Sequence, residues 1–350
     1  MATIYIVSPK KFTGGPESLH QLGQALLKHG LDVRMYYTDG FRRFKIMYNY
    51  NILDKRLSIY HIPDTKKIED SAENILIVPE IWTGFLSDFI HIKKCIWWLS
   101  YDYFFSSTPR CLISQSKKTA FLPSWMYWLP LLYFKIKGSY SLPTYRFDLH
   151  GDSTYHMYNC ESVNQLLYNN SIRSEQLLYL CGPLDDVYFE CALSNERNNI
   201  ILYNPKKGRG FTEKILSKAN EIGLDAIFIP LQGMTAEQIV QLMSKAKIYM
   251  DFGPFPGPER IPREAVIMGC NIITSTLGCA ANNIDVPIPK EFKYDVIDSN
   301  IESIVYKLKY MLENYIDLYH LYDEYRKKVV LQRDQFNDGV LTFMDKFNLK

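Results

Sequence analysis

The chain of 350 residues has no C-x-x-C pair, no D-x-D pair, no uninterrupted apolar run of about 18 residues and no large excess of either charge. Each absence removes a class of protein. The seven cysteines, at positions 95, 111, 160, 181, 191, 270 and 279, are odd in number and scattered. They read as reduced thiols of a cytoplasmic protein, not as a disulfide framework. Without a long apolar run, a membrane-spanning helix is not expected. The opening MATIYIVSPKKF has no basic segment followed by a long apolar one, so it reads as a first strand and not as a signal peptide. With 40 basic and 38 acidic residues the net charge is +2, which argues against a nucleic-acid partner because such domains carry a basic patch or stripe. The G-x-G-x-x-G fingerprint of dinucleotide sites and the G-x-x-x-x-G-K-[ST] phosphate loop are both missing.

What is present is core material and alternation. Hydrophobic residues make up 47% of the chain, enough for about two domains with separate cores. Aromatic residues reach 14%, with 26 tyrosines, which suits either sugar-binding surfaces or large cores. A strand over residues 3–8 leads through Gly14 and Gly15 to Pro16, a residue that suits a first helical turn. The helix runs to about residue 28 with Leu19, Leu22 and Leu26 on one stripe and Gly30 past its end. Strands are predicted at 32–37, 57–61, 74–78 and 94–99, with a helix between the last two. Residues 104–150 are less regular and proline-rich, and 154–180 alternates again. In the second half, strands at 200–203, 226–229, 248–252 and 271–274 alternate with helices at 213–222, 235–246 and 262–268. Thr212 is expected to cap the first of these helices, and Thr235 and Gln238 have capping-box spacing for the second. From residue 301 the chain is mostly helical. The pattern predicts α/β architecture with parallel sheets, whose ligands bind outside the carboxyl ends of the strands.

Three strand-to-helix loops carry candidate chemistry. Residues 253–264 bring Glu259, Arg260, Arg263 and Glu264 together where a glycine- and proline-rich loop meets a helix. Arginine forks suit phosphate oxygens, a carboxylate suits the paired hydroxyls of a ribose, and the helix N-terminus favours an anion. The alternative is a charged helix start with no ligand. Residues 204–210, NPKKGRG, place Asn204, Lys206, Lys207 and Gly208 in a turn where backbone N–H groups and ammonium groups can meet a phosphate. The alternative there is a solvated basic turn. Gly14 and Gly15 form a close-approach loop or a plain turn, followed by Glu17. Elsewhere, Asp102 in WWLSYDY follows a strand and is a candidate general base, or else a turn aspartate. His150, Asp152, His156 and Cys160 fit no common zinc spacing, so no metal is expected there. The aromatic run over residues 121–137, flanked by lysines, is either core or a peripheral membrane contact.

FTGGPESLHQLGQALLKHGLDV, YNPKKG and DFGPFPGPERIPREAVIMGCNIITS together resemble the glycine loop, donor-domain start and donor-binding segment of GT-B glycosyltransferases. The likeness is to the family-4-like enzymes that build bacterial surface polysaccharides such as lipopolysaccharide and capsule. WWLSYDY is similar to the end of an N-domain strand in one subgroup, and the likeness covers most of the chain. It implies two Rossmann-like domains whose parallel sheets face a central cleft. Residues 1–182 would be the acceptor side, 183–199 a linker, 200–325 the donor domain, and 326–350 a helix packing back on the first domain.

The same resemblance implies a metal-independent transfer from a nucleotide-sugar donor to a glycan or lipid-linked acceptor, with no cofactor; retention is the expected outcome, but the resemblance does not carry it. The protein would be cytoplasmic or peripheral at the inner face of the plasma membrane. Lys206 and Lys207 would meet the donor diphosphate, with Arg260 and Arg263 beside it and Glu264 on the ribose. Asn204, Gly208, Gly14 and Gly15 would complete the donor contacts. Asp102, Glu259 and Glu17 are the catalytic candidates, and an inverting enzyme would draw its base from Asp102, Glu17 or His150. The sequence departs from the family pattern at Pro256, where a glutamate is expected eight positions before Glu264. An epimerase acting on nucleotide sugars, or a non-catalytic module that binds a glycan or partner, would share these loops.

Overall fold

A computed structural model describes residues 2–42, 45–100, 104, 129, 132, 145–147, 153–191, 193–194 and 196–349. The chain forms two compact units. One comprises Met1–Asn159, Val163–Gly182 and Gln335–Lys350; the other comprises Cys160–Ser162 and Pro183–Asp334. Elements below are numbered among the described residues.

In the first unit, β1 (Thr3–Ser8), α1 (Gly14–Lys28), β2 (Asp32–Arg42), β3 (Lys45–Tyr48), α2 (Lys55–Ser58), β4 (Ile75–Pro79), β5 (Lys93–Trp98), β6 (Tyr155–Tyr158), all but the first two residues of α3 (Glu161–Asn169), and β7 (Leu177–Tyr179) follow in order. The sheet order is β3-β2-β1-β4-β5-β6-β7. Every pairing is parallel except β3 on β2. Strand β1 reads as an unbroken apolar run because it lies in the middle of a sheet covered on both faces. Residues 4–8 are all buried. Helix α1 sets Leu19, Leu22 and Leu26 into the same core as Ile4 and Ile6. Gly30, at φ +79°, follows the helix end in the left-handed region that glycine adopts without a Cβ penalty.

Two expectations are corrected here. Residues 57–61 are not a strand: the Asp54 carboxylate accepts the Arg56 N–H at 3.1 Å and starts the short helix α2, which buries Leu57. The predicted helix before β5 is a 3₁₀ segment, Glu80–Asp88. Trp97 and Trp98 are core residues: their indole N–H groups donate to the Leu180 carbonyl (3.0 Å) and to His156 Nδ1 (3.1 Å). Within the 121–137 run only Leu129 and Leu132 are described, and both are exposed. The rest of the run lies outside the described residues. Among the described residues no helix is long and apolar enough to cross a membrane.

The second unit contains α4 (Val187–Glu190), β8 (Asn198–Tyr203), α5 (Arg209–Glu221), β9 (Ile227–Pro230), α6 (Ala236–Met243), β10 (Ala246–Asp251), α7 (Arg260–Ile267), β11 (Asn271–Ser275), β12 (Lys293–Tyr294), α8 (Ile301–Glu313), α9 (Tyr315–Tyr319) and the first part of α10 (Asp323–Lys346). Its sheet order is β12-β11-β10-β8-β9, parallel throughout. The capping box at Thr235 and Gln238 forms in both directions. Thr212, expected as a cap, is instead buried inside α5, which starts earlier because Gly208 takes the left-handed cap conformation. Helix α7 starts at Arg260, two positions before Pro262, and Pro262 is tolerated because first-turn N–H groups have no partner within the helix.

Two buried groups of the first unit titrate in opposite senses. Glu80 is buried and its carboxylate accepts the Leu99 N–H at 2.9 Å; burial pushes its pKa up to about 7. His20 donates from Nδ1 to the Pro16 carbonyl and accepts from the Tyr37 hydroxyl at Nε2; burial lowers its pKa to about 4. Between pH ~4.5 and ~7 the folded state holds the Glu80 proton more tightly than the unfolded state, so this group's contribution falls as pH rises. Between pH ~4 and ~6.5 the unfolded state protonates His20 first, so the His20 contribution rises with pH. Glu80→Gln is expected to remove the opposing slope. Thermal unfolding across pH 4–8 should show the variant level with wild type at the acid end and more stable at pH 8, by about 2–3 kcal/mol.

Candidate functional site

The order of the five-stranded sheet locates the site. From β8 the chain moves to β9 on one side, then returns to β10 on the other side of β8. The loops that follow β8 and β10 therefore flank a topological switch point at the carboxyl ends of the strands, where open α/β sheets bind ligands.

These two loops touch backbone to backbone. Asn204 Oδ1 accepts the Lys206 N–H at 3.0 Å and folds the turn after β8. Gly208 follows at φ +58°, and a Cβ there would lie 2.8 Å from the carbonyl carbon and oxygen of Phe252. A Cβ on Gly253 would lie 2.4 Å from Lys207 Cβ. The two glycines thus allow a contact that any side chain would block. In the first unit the glycine pair behaves differently. A Cβ on Gly14 would meet nothing within 4 Å, and one on Gly15 would only touch Leu99 at 3.6 Å. These two leave room at the start of α1, where Glu17 lies buried in the first turn.

Charge is concentrated around the contact. Lys207 Nζ is 2.5 Å from a Glu259 carboxylate oxygen and donates to the Pro254 carbonyl at 3.3 Å. Burial pushes the Glu259 carboxyl up, and Lys207 draws it back only in part. Asp251 ends β10 fully enclosed, accepting the Tyr249 hydroxyl and the Gly253 N–H, both at 2.9 Å. Burial raises its pKa against the pull of these donors and of Lys207. Lys206 is exposed.

Behind this front the arginines hold the frame. Arg260 donates to both Asp185 and Glu264. Tyr188 also bonds Glu264, and burial together with that carboxylate raises the phenol pKa. Burial and Glu264 raise the Asp185 carboxyl as well. Arg263, 7% exposed, donates to Gln332 Oε1 at 2.9 Å and to the Glu259 carbonyl at 3.3 Å. The loop after β10 is pinned from the far side: Ser275 Oγ donates to the Gly253 carbonyl at 2.7 Å, the Phe255 N–H to Leu277 O at 3.1 Å, and the Cys279 N–H to Phe255 O at 2.8 Å.

Of the residues picked out in the sequence, Asn204, Lys206, Lys207, Gly208, Glu259, Arg260, Arg263 and Glu264 gather in the second unit. Gly14, Gly15 and Glu17 lie together in the first. Asp102, His150 and Asp152 lie outside the described residues. His156 is wholly buried, accepting the Trp98 indole N–H, and Cys160 lies beside Cys279. Sequence reasoning passed over Asp185, Tyr188, Asp251 and Gln332. Asp251 alone carried a local signal, a carboxylate closing an apolar strand just before Phe252 and Gly253.

At the level of sequence, no protein-family model and no curated protein matches the chain. At the level of structure it has the GT-B fold, with two Rossmann-like domains. A glycosyltransferase from Rickettsia africae is similar at TM-score 0.55 and 16% identity over 99% of this chain and 97% of that one. HepE of Anabaena, in complex with UDP and glucose, is similar at TM-score 0.56 and 10% identity over 99% of both chains. WaaG, a glycosyltransferase involved in lipopolysaccharide biosynthesis, is similar at TM-score 0.53 and 10% identity over 97% of this chain and 99% of that one.

Arg260→Met removes a cation that Asp185 and the buried Glu264 share. Urea unfolding at pH 7 should show a loss on the order of 3 kcal/mol, from a buried carboxylate left without its counter-charge. Loss of less than about 1 kcal/mol would place the pair among exposed ion pairs of little weight.

Proposed function

We propose that this chain is a glycosyltransferase that binds a nucleoside diphosphate sugar at the switch point of its five-stranded sheet and passes the sugar to a glycan or lipid-linked acceptor. The observation that carries this reading is Lys207, held with Lys206 at the start of α5 by a glycine contact that brings the loops after β8 and β10 together. Its support from outside the chain is a fold shared with glycosyltransferases, one of them in complex with UDP and glucose.

The roles follow from exposure. Lys206 and Lys207 meet the diphosphate, assisted by the N–H groups at the start of α5. Glu259 must release Lys207 as the phosphate arrives, and is then the carboxylate placed to meet donor hydroxyls. Glu264 is buried and bonded to Arg260 and Tyr188, so it sets the position of α7, and its remaining acceptor capacity is what it can offer a ribose. As the bond from the anomeric carbon to the diphosphate breaks, the two lysines take up the growing negative charge. The acceptor oxygen bonds to that carbon. Its proton passes to the leaving phosphate for retention, or to a separate base for inversion.

UDP, GDP, TDP and CMP are expected to separate in a thermal-shift screen. A nucleotide that binds only the folded state at about one hundred times its Kd adds about 2.7 kcal/mol. Lys207→Ala should weaken the best of them by about tenfold, close to 1.4 kcal/mol. No shift with any nucleotide would overturn the reading.

A donor nucleotide that binds should also respond to Glu259→Gln, which leaves Lys207 without its internal counter-ion. Isothermal titration should then show UDP or its best-binding analogue held about threefold or more tightly, since charge complementarity at such a site is set by the groups left unpaired. Weaker binding would mean that Glu259 contributes to the ligand in the ground state.

A further inference from the structure

Cys160 and Cys279 lie away from the lysine front but are connected to it. Their sulfurs are 3.4 Å apart, the Cys279 thiol donating to the Cys160 sulfur, and both residues are at most 2% exposed. No disulfide joins any of the described cysteines. Asp285 stands beside the pair, with one ligand atom from each of the three residues within 4.8 Å of the others. That trio has the residue types of a metal site, but the Asp285 carboxylate is already engaged. It accepts the N–H groups of Glu161 (2.7 Å) and Ser162 (3.1 Å), the Ser162 hydroxyl (3.1 Å) and the Asn282 amide (2.8 Å). Four hydrogen bonds fix Asp285 as the anchor that holds residues 160–162 against the loop at 279–285. The two thiols are left placed against each other.

We infer that Cys160 and Cys279 are a redox-active dithiol, oxidised by peroxide to a disulfide that loosens the nucleotide loop. Peroxide oxidises one thiol to a sulfenic acid and leaves as water. The second thiol attacks that sulfur, forms the S–S bond and expels a second water. Closing the bond needs the sulfurs to approach by ~1.4 Å, since a disulfide is about 2.05 Å long. The movement bears on one strap. The Cys279 N–H holds Phe255 O at 2.8 Å, and the preceding Gly278, at φ +65°, is so close that a Cβ there would fall 2.2 Å from that oxygen. Drawing Cys279 toward Cys160 therefore pulls on residues 253–257, the loop that carries the Lys207 contacts. The effect on ligand binding rests on the function proposed above; formation of the disulfide does not.

The full chain is reduced, freed of reductant, treated with hydrogen peroxide and digested without reduction. Peptide mapping should find one linked pair containing Cys160 and Cys279, absent after dithiothreitol. Intact mass should fall by two hydrogen atoms. Cys160→Ser and Cys279→Ser should each abolish the link and Cys191→Ser should keep it. The wild-type map decides even where a serine variant folds poorly. Oxidation should weaken UDP binding by about threefold or more, restored by dithiothreitol. Both thiols over-oxidised without a link, or a link to another cysteine, would overturn the dithiol. Stoichiometric zinc in the reduced protein, lost in both serine variants, would overturn it in favour of a metal site. A link with unchanged UDP affinity would overturn the coupling, and a link in a protein that binds no nucleotide would overturn the proposed function alone.

Discussion

The approach of Gly208 to the backbone of Phe252 and Gly253 is the contact on which the second unit's site depends. Two loops that follow different strands can share one ligand only if their main chains come within van der Waals distance, and side chains prevent this at both places. Once the loops meet, Lys207 is directed across the junction and the start of α5 faces the same point. The flanking ion pairs fix the loops in this position. None of them would bring the loops together if a Cβ stood in the way.

The charges divide into two layers with different duties. Lys206, Lys207 and Glu259 retain contact with solvent and are able to exchange partners. Glu264, Tyr188 and Gln332 are buried, and with the partly exposed Arg260 and Asp185 they form a lattice that keeps α7 in place. Buried charges are tolerated when every one has a partner, and the partners here come from the turn before α4 and from α10 as well as from α7 itself.

Sequence reading succeeded where the cause was local. Apolar runs ended by glycine gave the βα alternation, and Thr235 and Gln238 cap a helix through residues only three apart. It failed where a local cue had two meanings. Leu57 follows Asp54, a cap that turns an apparently extended segment into a helix. It also failed where the partner lay far along the chain. Arg260 meets Asp185 across 75 positions, Arg263 meets Gln332 across 69, and Trp97 meets Leu180 across 83. Nothing in a linear pattern marks those partners. The loops that carry the candidate residues were therefore legible in the sequence, but the partners of those residues were not.

Helix α10 carries a consequence for how the molecule is made. Phe336, Val340 and Phe343 belong to the hydrophobic core that also contains Ile4, Leu22 and Trp97. That core draws on the first strand and on the last helix of the chain. On the ribosome the seven-stranded sheet is synthesised first, yet its core is completed only after residues 336–343 emerge. The second unit has its own sheet complete before then. The order of synthesis and the order of completion of the two units are thus reversed.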